Sequence, residues 1–178
     1  MKNIVISIGA FSAQQVMDTL QVGKTVIAYD PRPVMCKAYA EIQHPNFSWF
    51  SLAVSGKSGR TTFFEHGGSS TIVSMTNCPF QIDDRYEVDV ISMASVLKLF
   101  DDIEKLVMNC EGAEISIIMD TPLDLLSRCK RIEVEFHRFC SYLNVTEDDI
   151  QHCIGKLKPK FSNHIADSSI PYISFVRL

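Results

Sequence analysis

Apolar residues arrive along the chain in short runs that alternate with stretches of helical spacing. Ile4-Val5-Ile6-Ser7-Ile8 is a β-branched run ending at Gly9, the pattern of a strand buried on both faces. Ala13, Val16, Met17 and Leu20 then recur on one helix face, and Gly23 ends that helix. Thr25 to Tyr29 predicts a second strand, stopped by Asp30-Pro31-Arg32-Pro33, and Val34 to Ile42 a second helix. Phe47 to Val54 reads as one strand, Ser55 to Gly59 as a turn, and Thr61 to Glu65 as a short extra strand.

From His66 to Asp84 the chain is polar, with Gly67, Gly68 and Pro79, and it has no clear period. That stretch predicts a long loop, of the kind that often carries function. Strands follow at Tyr86 to Ile91, Leu106 to Asn109 and Tyr172 to Val176. Arg131 to Phe136 alternates apolar and polar and predicts another. Helices are expected at Ser95 to Phe100, Ala113 to Met119, Leu123 to Arg128 and Glu147 to Leu157. Strands alternating with helices imply a mainly parallel sheet covered on both faces. Ligands of such sheets sit beyond the carboxyl ends of the strands. That rule directs attention to Gly9, Asp30, the Ala53 region, Asn109 to Glu111, and Glu135 to His137.

Composition narrows this picture only slightly. The 178 residues fit a single domain spanning residues 1–178, and 46% apolar with 21% charged is a globular balance. A net charge of −4 speaks against a nucleic-acid partner bound through phosphate neutralisation. The basic clusters at Arg128 to Arg131 and Lys156 to Lys160 read as solvated helix ends. Six cysteines, with no Cys-x-x-Cys pair, read as reduced thiols in a cytoplasm rather than disulfides or a zinc site. Lys2 followed by Ile4 to Phe11 superficially resembles a short signal peptide, but the same residues make a good buried strand. No apolar run approaches a membrane span of about 20 residues. No metal is expected either. Glu111, Glu114, Asp83 and Asp84 read as solvated acids rather than magnesium ligands.

Three signals carry chemistry. Gly9, in Gly9-Ala10-Phe11, sits at a strand-to-helix turn, where a missing Cβ lets the backbone approach a ligand. Phe11 stands where dinucleotide binders place a second glycine for a pyrophosphate. A ligand without phosphate tolerates that side chain. Asp30 ends the next strand about 20 residues later, where an acid accepts hydrogen bonds from ribose hydroxyls. Its bland alternative is a turn aspartate before proline. Asn109-Cys110-Glu111-Gly112-Ala113-Glu114 then sets polar groups at the end of a buried strand. Carboxylates buried there need a partner or a polar ligand. Glu111 as an ordinary helix-starting residue is the plain alternative.

That hexapeptide resembles the Asp-Val-Glu-Gly-Ala-Glu signature of FkbM-type methyltransferases. Ala28-Tyr29-Asp30-Pro31-Arg32-Pro33 is similar to the family's Ala-Phe-Glu-Pro-x-Pro segment. Leu52 to Ser55 with Gly59 and Thr61 to Glu65 resembles its third-strand region, Ile91 to Leu97 its Thr-Leu-Asp-x-Leu segment, and Glu133 to His137 its fifth strand. The ordered similarity covers residues 4 to about 137, with a match at the C-terminal strand. The resemblance implies an α/β, Rossmann-like class I methyltransferase fold: a mainly parallel seven-stranded sheet with an antiparallel last strand.

It also implies S-adenosylmethionine as cofactor and O-methylation of a small-molecule or sugar acceptor. Carried over by position, Gly9, Ala10 and Phe11 line the methionine portion, Asp30 holds the ribose, Ala53 and Val54 lie near adenine, and Asn109 and Glu111 border the transfer site. Glu114 and Glu135 are the expected acceptor contacts. A hydroxyl acceptor gains from a base. His137 is the first candidate, because its ordinary pKa of about 6.5 suits that role, and Glu111 is the second. His66 lies in the long loop, which either closes over substrate or is plain surface. Phe11, Phe80 and Tyr86 read as ordinary packing rather than an aromatic wall.

The chain departs from the family pattern in five places. Ser7 replaces an acid, Ala13 a glycine, Val107 a lysine and Asn109 an aspartate. The chain also begins at strand 1, without the helices that often precede it in the family. These departures keep a cofactor-binding protein without catalysis as an alternative. A nucleotide-dependent oxidoreductase is a further alternative, and Phe11 opposes it.

Overall fold

The structure is a computed structural model that describes residues 3–66, 70–73, 82–137, 143–165 and 172–178. Gly67, Gly68, Pro79 and Phe80 lie outside the described residues. The first β-branched run forms β1 (Ile4–Ile8), and the second forms β2 (Thr25–Tyr29). Between them runs α1 (Ala13–Gln21). Its start is fixed by Ser12, whose side chain accepts from the Gln15 N–H while the Gln15 side chain accepts from the Ser12 N–H. Such a reciprocal cap contributes about 1 kcal/mol. Pro33 opens α2 (Pro33–Ala40) at a position that needs no N–H.

The expected single strand over 47–54 is two strands, β3 (Phe47–Phe50) and β4 (Ala53–Ser55). β3 pairs with β2 as far as Tyr29↔Phe50, and the Asp30 N–H still donates to the Phe50 carbonyl. The next N–H on that side of β2 belongs to Arg32, and it donates to the Asp30 carboxylate instead, so the ladder stops and the chain turns away. β4 instead joins a separate three-stranded sheet, ordered β4-β6-β5, with β5 (Gly59–Glu65) and β6 (Asp84–Ser92). The presumed long loop begins by folding back on β5. Phe64 and Thr71 exchange both backbone hydrogen bonds, at 2.8 and 3.0 Å.

The main sheet has seven strands in the order β3-β2-β1-β7-β8-β10-β9, adding β7 (Ile103–Met108), β8 (Cys129–Glu135), β9 (Phe161–Ile165) and β10 (Tyr172–Arg177). Strands β3, β2, β1, β7 and β8 are mutually parallel, and β10 is antiparallel to both of its neighbours. The seven-stranded, mainly parallel sheet with an antiparallel last strand is therefore present. β9 has no sequence signal because Ser162 and Asn163 break any apolar run, and pairing with β10 makes it a strand.

The remaining helices are α3 (Met93–Leu97), α4 (Glu114–Asp120), α5 (Leu123–Leu126) and α6 (Glu147–Leu157). They pack one face of the sheet into the main core, with Ile6, Leu106, Ile132 and Phe175 opposite Val96, Ile117, Leu126 and Ile150. On the other face, Val16, Leu20 and Tyr39 of α1 and α2 cover Val26, Ala28, Phe47 and Trp49. Cover on both faces, as expected from the pattern, holds over β1 to β3. Over β7, β8 and β10 the second face is polar, with Lys105, Arg131, Glu133, Glu135 and Tyr172 in register across neighbouring strands. The alternation of 131–136 is that of a strand with one wet face. Among the described residues no helix is long and apolar enough to cross a membrane.

Candidate functional site

Strands β1, β2 and β7 end in register, with Ile8 opposite both Tyr29 and Met108. The next residues of the three strands are Gly9, Asp30 and Asn109, so the sheet edge brings the three predicted signals together. Gly9 has φ +63°, and a Cβ there would lie 2.6 Å from the Asn109 carbonyl oxygen. Its N–H donates to the Tyr29 carbonyl at 2.9 Å, and the Asn109 N–H donates to Ile8 at 3.1 Å. Glycine is thus required at the turn by close backbone approach and by a left-handed conformation.

These ends open into a small cavity of about 50 Å³. Gly9, Asp30, Asn109 and Glu111 supply its polar wall, and Ile8, Leu52, Val54, Phe63 and Ile72 its apolar wall. Val54 lines this cavity. Ala53 does not, because alternation along β4 turns it the other way, onto Phe63 and Val88 of the smaller sheet. Tyr86 also packs there, 5.4 Å from Phe63, while Phe11 packs against the α1–α2 cluster. Ordinary packing therefore accounts for both aromatics.

Ser7, in place of an acid, accepts the Phe11 N–H on its hydroxyl at 3.1 Å, and the Tyr39 hydroxyl donates to the Phe11 carbonyl. Together they pin the turn. Ala10 and Phe11 line a second crevice, of about 290 Å³, on the wet face of the sheet with Lys105, Glu133, Glu135 and Tyr172. Asn109 borders both spaces, and its side-chain amide donates to Glu135 at 2.8 Å. Burial works to raise the Glu133 carboxyl, but Tyr172 donating at 2.6 Å, Lys105 at 2.9 Å and nearby Arg131 outweigh it and hold it below the usual range.

Asp30 has no exposed side-chain surface. Its carboxylate accepts from the Arg32 backbone N–H and from Nε of the same residue, each at 2.9 Å, and also from Arg32 Nη2. Sequence reading treated Arg32 only as part of a strand-stopping turn. The proximity of a residue two positions away, between two prolines, was the available signal.

The Asn109 to Glu114 segment is a tight turn. Glu111 takes φ +48°, and Gly112 φ +98°. Glu114 is fully buried, and its two oxygens accept from the backbone N–H groups of Cys110 and Gly112. This carboxylate is spent on holding the turn, which corrects its expected role as an acceptor contact. Thr71 donates its hydroxyl to the Glu111 carbonyl at 2.7 Å, and Ser70, Thr71 and Ile72 wall the cavity. These residues have no sequence signal beyond lying in the long segment after β5.

His137 stands among three acids. Nε2 lies 3.2 Å from Glu111 and 3.7 Å from Glu135, and Nδ1 lies 3.4 Å from Glu114 without hydrogen-bond geometry. Burial alone lowers an imidazole pKa, but Glu111 and Glu114 overcome it and push His137 up to about 10. The acids around it favour the protonated ring, and its nearest partner is Glu111, the other candidate base. Burial likewise pushes the Cys110 thiol well up, with Glu114 adding to the effect. Among the described residues no group of three or more His, Cys, Asp or Glu side chains is arranged to hold a metal ion.

Comparison with known proteins agrees with this architecture. A methyltransferase FkbM from Methylobacillus flagellatus KT superposes with a TM-score of 0.59 at 11% identity, over 98% of this chain and 43% of that one. This chain thus spans less than half the length of that protein. Magnesium protoporphyrin IX methyltransferase from Synechocystis PCC 6803, determined with bound S-adenosylmethionine, has a TM-score of 0.46 at 12% identity, over 99% of this chain and 71% of that one. No curated protein matches the sequence. The methyltransferase FkbM domain matches residues 7–158, from the end of β1 through α6. With the sheet order and the turn at Gly9 already in place, the chain belongs to the FkbM methyltransferase domain family and has a class I methyltransferase fold.

Proposed function

We propose that this domain binds S-adenosylmethionine and methylates an oxygen of a small-molecule or sugar acceptor. The observation that carries the reading is the buried Asp30 carboxylate at the tip of β2, set across the Gly9 turn from Asn109. The residues suit this cofactor. Asp30 is a diol acceptor, and Leu52, Val54 and Ile72 offer an apolar slot for a purine. When bound, the cofactor supplies an electrophilic methyl group on that sulfonium. The protein's part is alignment and exclusion of water.

The acceptor enters from the wet face of the sheet, where Asn109 and Glu135 connect the 290 Å³ crevice to the cavity. Glu111, which lines the cavity, is the group placed to take a hydroxyl proton, and His137 holds it in position. Calorimetric titration with S-adenosylmethionine and S-adenosylhomocysteine, beside an Asp30→Ala variant, tests the reading. Micromolar binding weakened by the substitution is the expected result. No binding of either ligand at millimolar concentration removes the cofactor assignment. The silent-binder alternative draws on one observation, the pairing of His137 with Glu111 at 3.2 Å, which engages the two candidate bases with each other. It predicts the same binding with no turnover on any acceptor.

A further inference from the structure

The ion pair between Arg32 and Asp30 leaves the carboxylate too few free acceptors for a diol. A carboxylate has about four lone-pair sites. Here Oδ1 takes the Arg32 backbone N–H, the single Nε hydrogen is shared between Oδ1 at 2.9 Å and Oδ2 at 3.2 Å, and Oδ2 also takes Nη2. These three N–H groups leave about one site, and a ribose diol needs two. Arg32 Nη2 also reaches to 3.5 Å from the Gly9 carbonyl, so the guanidinium lies across the mouth of the turn. The two partners are unequal. Asp30 is sealed, while the Arg32 side chain keeps 17% of its surface exposed and has a way out to solvent. The backbone of Arg32 is held in extended geometry between Pro31 and Pro33, so rotation of the side chain alone opens the site.

Resting on the cofactor reading above, we propose that Arg32 is an intramolecular competitor for the ribose site and sets the cofactor affinity of this chain. The guanidinium and the ribose hydroxyls are alternative occupants of Asp30, and binding includes the outward swing of Arg32. A site that is competent only part of the time loses apparent affinity by that fraction.

Titrate S-adenosylhomocysteine by calorimetry into the wild-type protein, Arg32→Ala, Arg32→Gln and Asp30→Asn, and follow thermal melting of each with and without ligand. Arg32→Ala is expected to bind roughly 10-fold more tightly than wild type, the gain for a site closed about nine-tenths of the time. It should melt lower than wild type alone, because Asp30 loses its partner, and show a larger rise with ligand. Arg32→Gln, which cannot close both oxygens, should lie between and carries the test if Arg32→Ala does not fold. Asp30→Asn should bind more weakly than wild type. Wild-type binding with Arg32→Ala and Arg32→Gln equal or weaker would overturn the competitor role and leave the cofactor reading intact. No binding by any of the four proteins overturns both.

Discussion

Gly9 and Asn109 meet backbone to backbone. A Cβ at position 9 would stand 2.6 Å from the Asn109 carbonyl oxygen, on a residue already at φ +63°. Two penalties therefore fall on Gly9→Ala. A left-handed conformation costs a non-glycine residue roughly 1–2 kcal/mol, and the contact forces β1 and β7 apart where they are in register. The expected loss is roughly 2–4 kcal/mol, measured as a lower urea midpoint at unchanged m-value. Binding of S-adenosylhomocysteine should weaken along with it, since Asp30 and Asn109 are positioned by the same turn. A variant as stable as wild type would mean that the two strand ends do not approach this closely.

His137 and the acids around it make stability depend on pH. The groups facing the ring are Glu111, Glu114 and Glu135. Its folded pKa is raised to about 10 from the ordinary 6.5. The stabilisation is thus fully present below about pH 6.5 and is lost as pH rises through 10. One proton gives a slope approaching about 1.4 kcal/mol per pH unit inside that window. Denaturant unfolding of wild type from pH 6 to 10 should show the decline. His137→Gln should be less stable at pH 7 and should lack that slope. An unchanged slope in the variant would assign the titration to other groups.

The parts of this arrangement that were readable in the sequence are those set by local pattern. The β-branched run before Gly9, the acid at Asp30 and the polar end of β7 each carry a residue-level reason, and parallel pairing brings them to one edge. What escaped depends on partners distant in sequence or on competing local bonds. β9 exists because β10 pairs with it, since Ser162 and Asn163 bury no stripe of their own. The break between β3 and β4 follows where the Arg32 N–H, next in the ladder, is claimed by the Asp30 carboxylate. The open half of the sheet was foreshadowed by Arg131, Glu133 and Glu135, whose alternation marks one wet face. Glu114 looked available, yet two backbone N–H groups claim it. His137 lies beside three acids that no local pattern places there.

Thr71 ties the segment after β5 to the Glu111 end of the cavity. Its hydroxyl donates to the Glu111 carbonyl at 2.7 Å and accepts the Val73 N–H at 2.9 Å. Glu111 holds a left-handed backbone conformation, and this bond is one of the contacts that keeps it there. Thr71→Val preserves shape and removes both bonds, leaving a buried carbonyl unpaired at a cost of about 1–3 kcal/mol. Thr71→Ser keeps the hydroxyl and loses one methyl, worth about 0.8 kcal/mol. The isosteric valine should therefore be the more harmful change, by chemical denaturation and by affinity for S-adenosylhomocysteine alike. If serine proves the worse of the two, packing rather than the hydroxyl anchors this wall, and Glu111 owes its geometry to Gly112 and Glu114 alone.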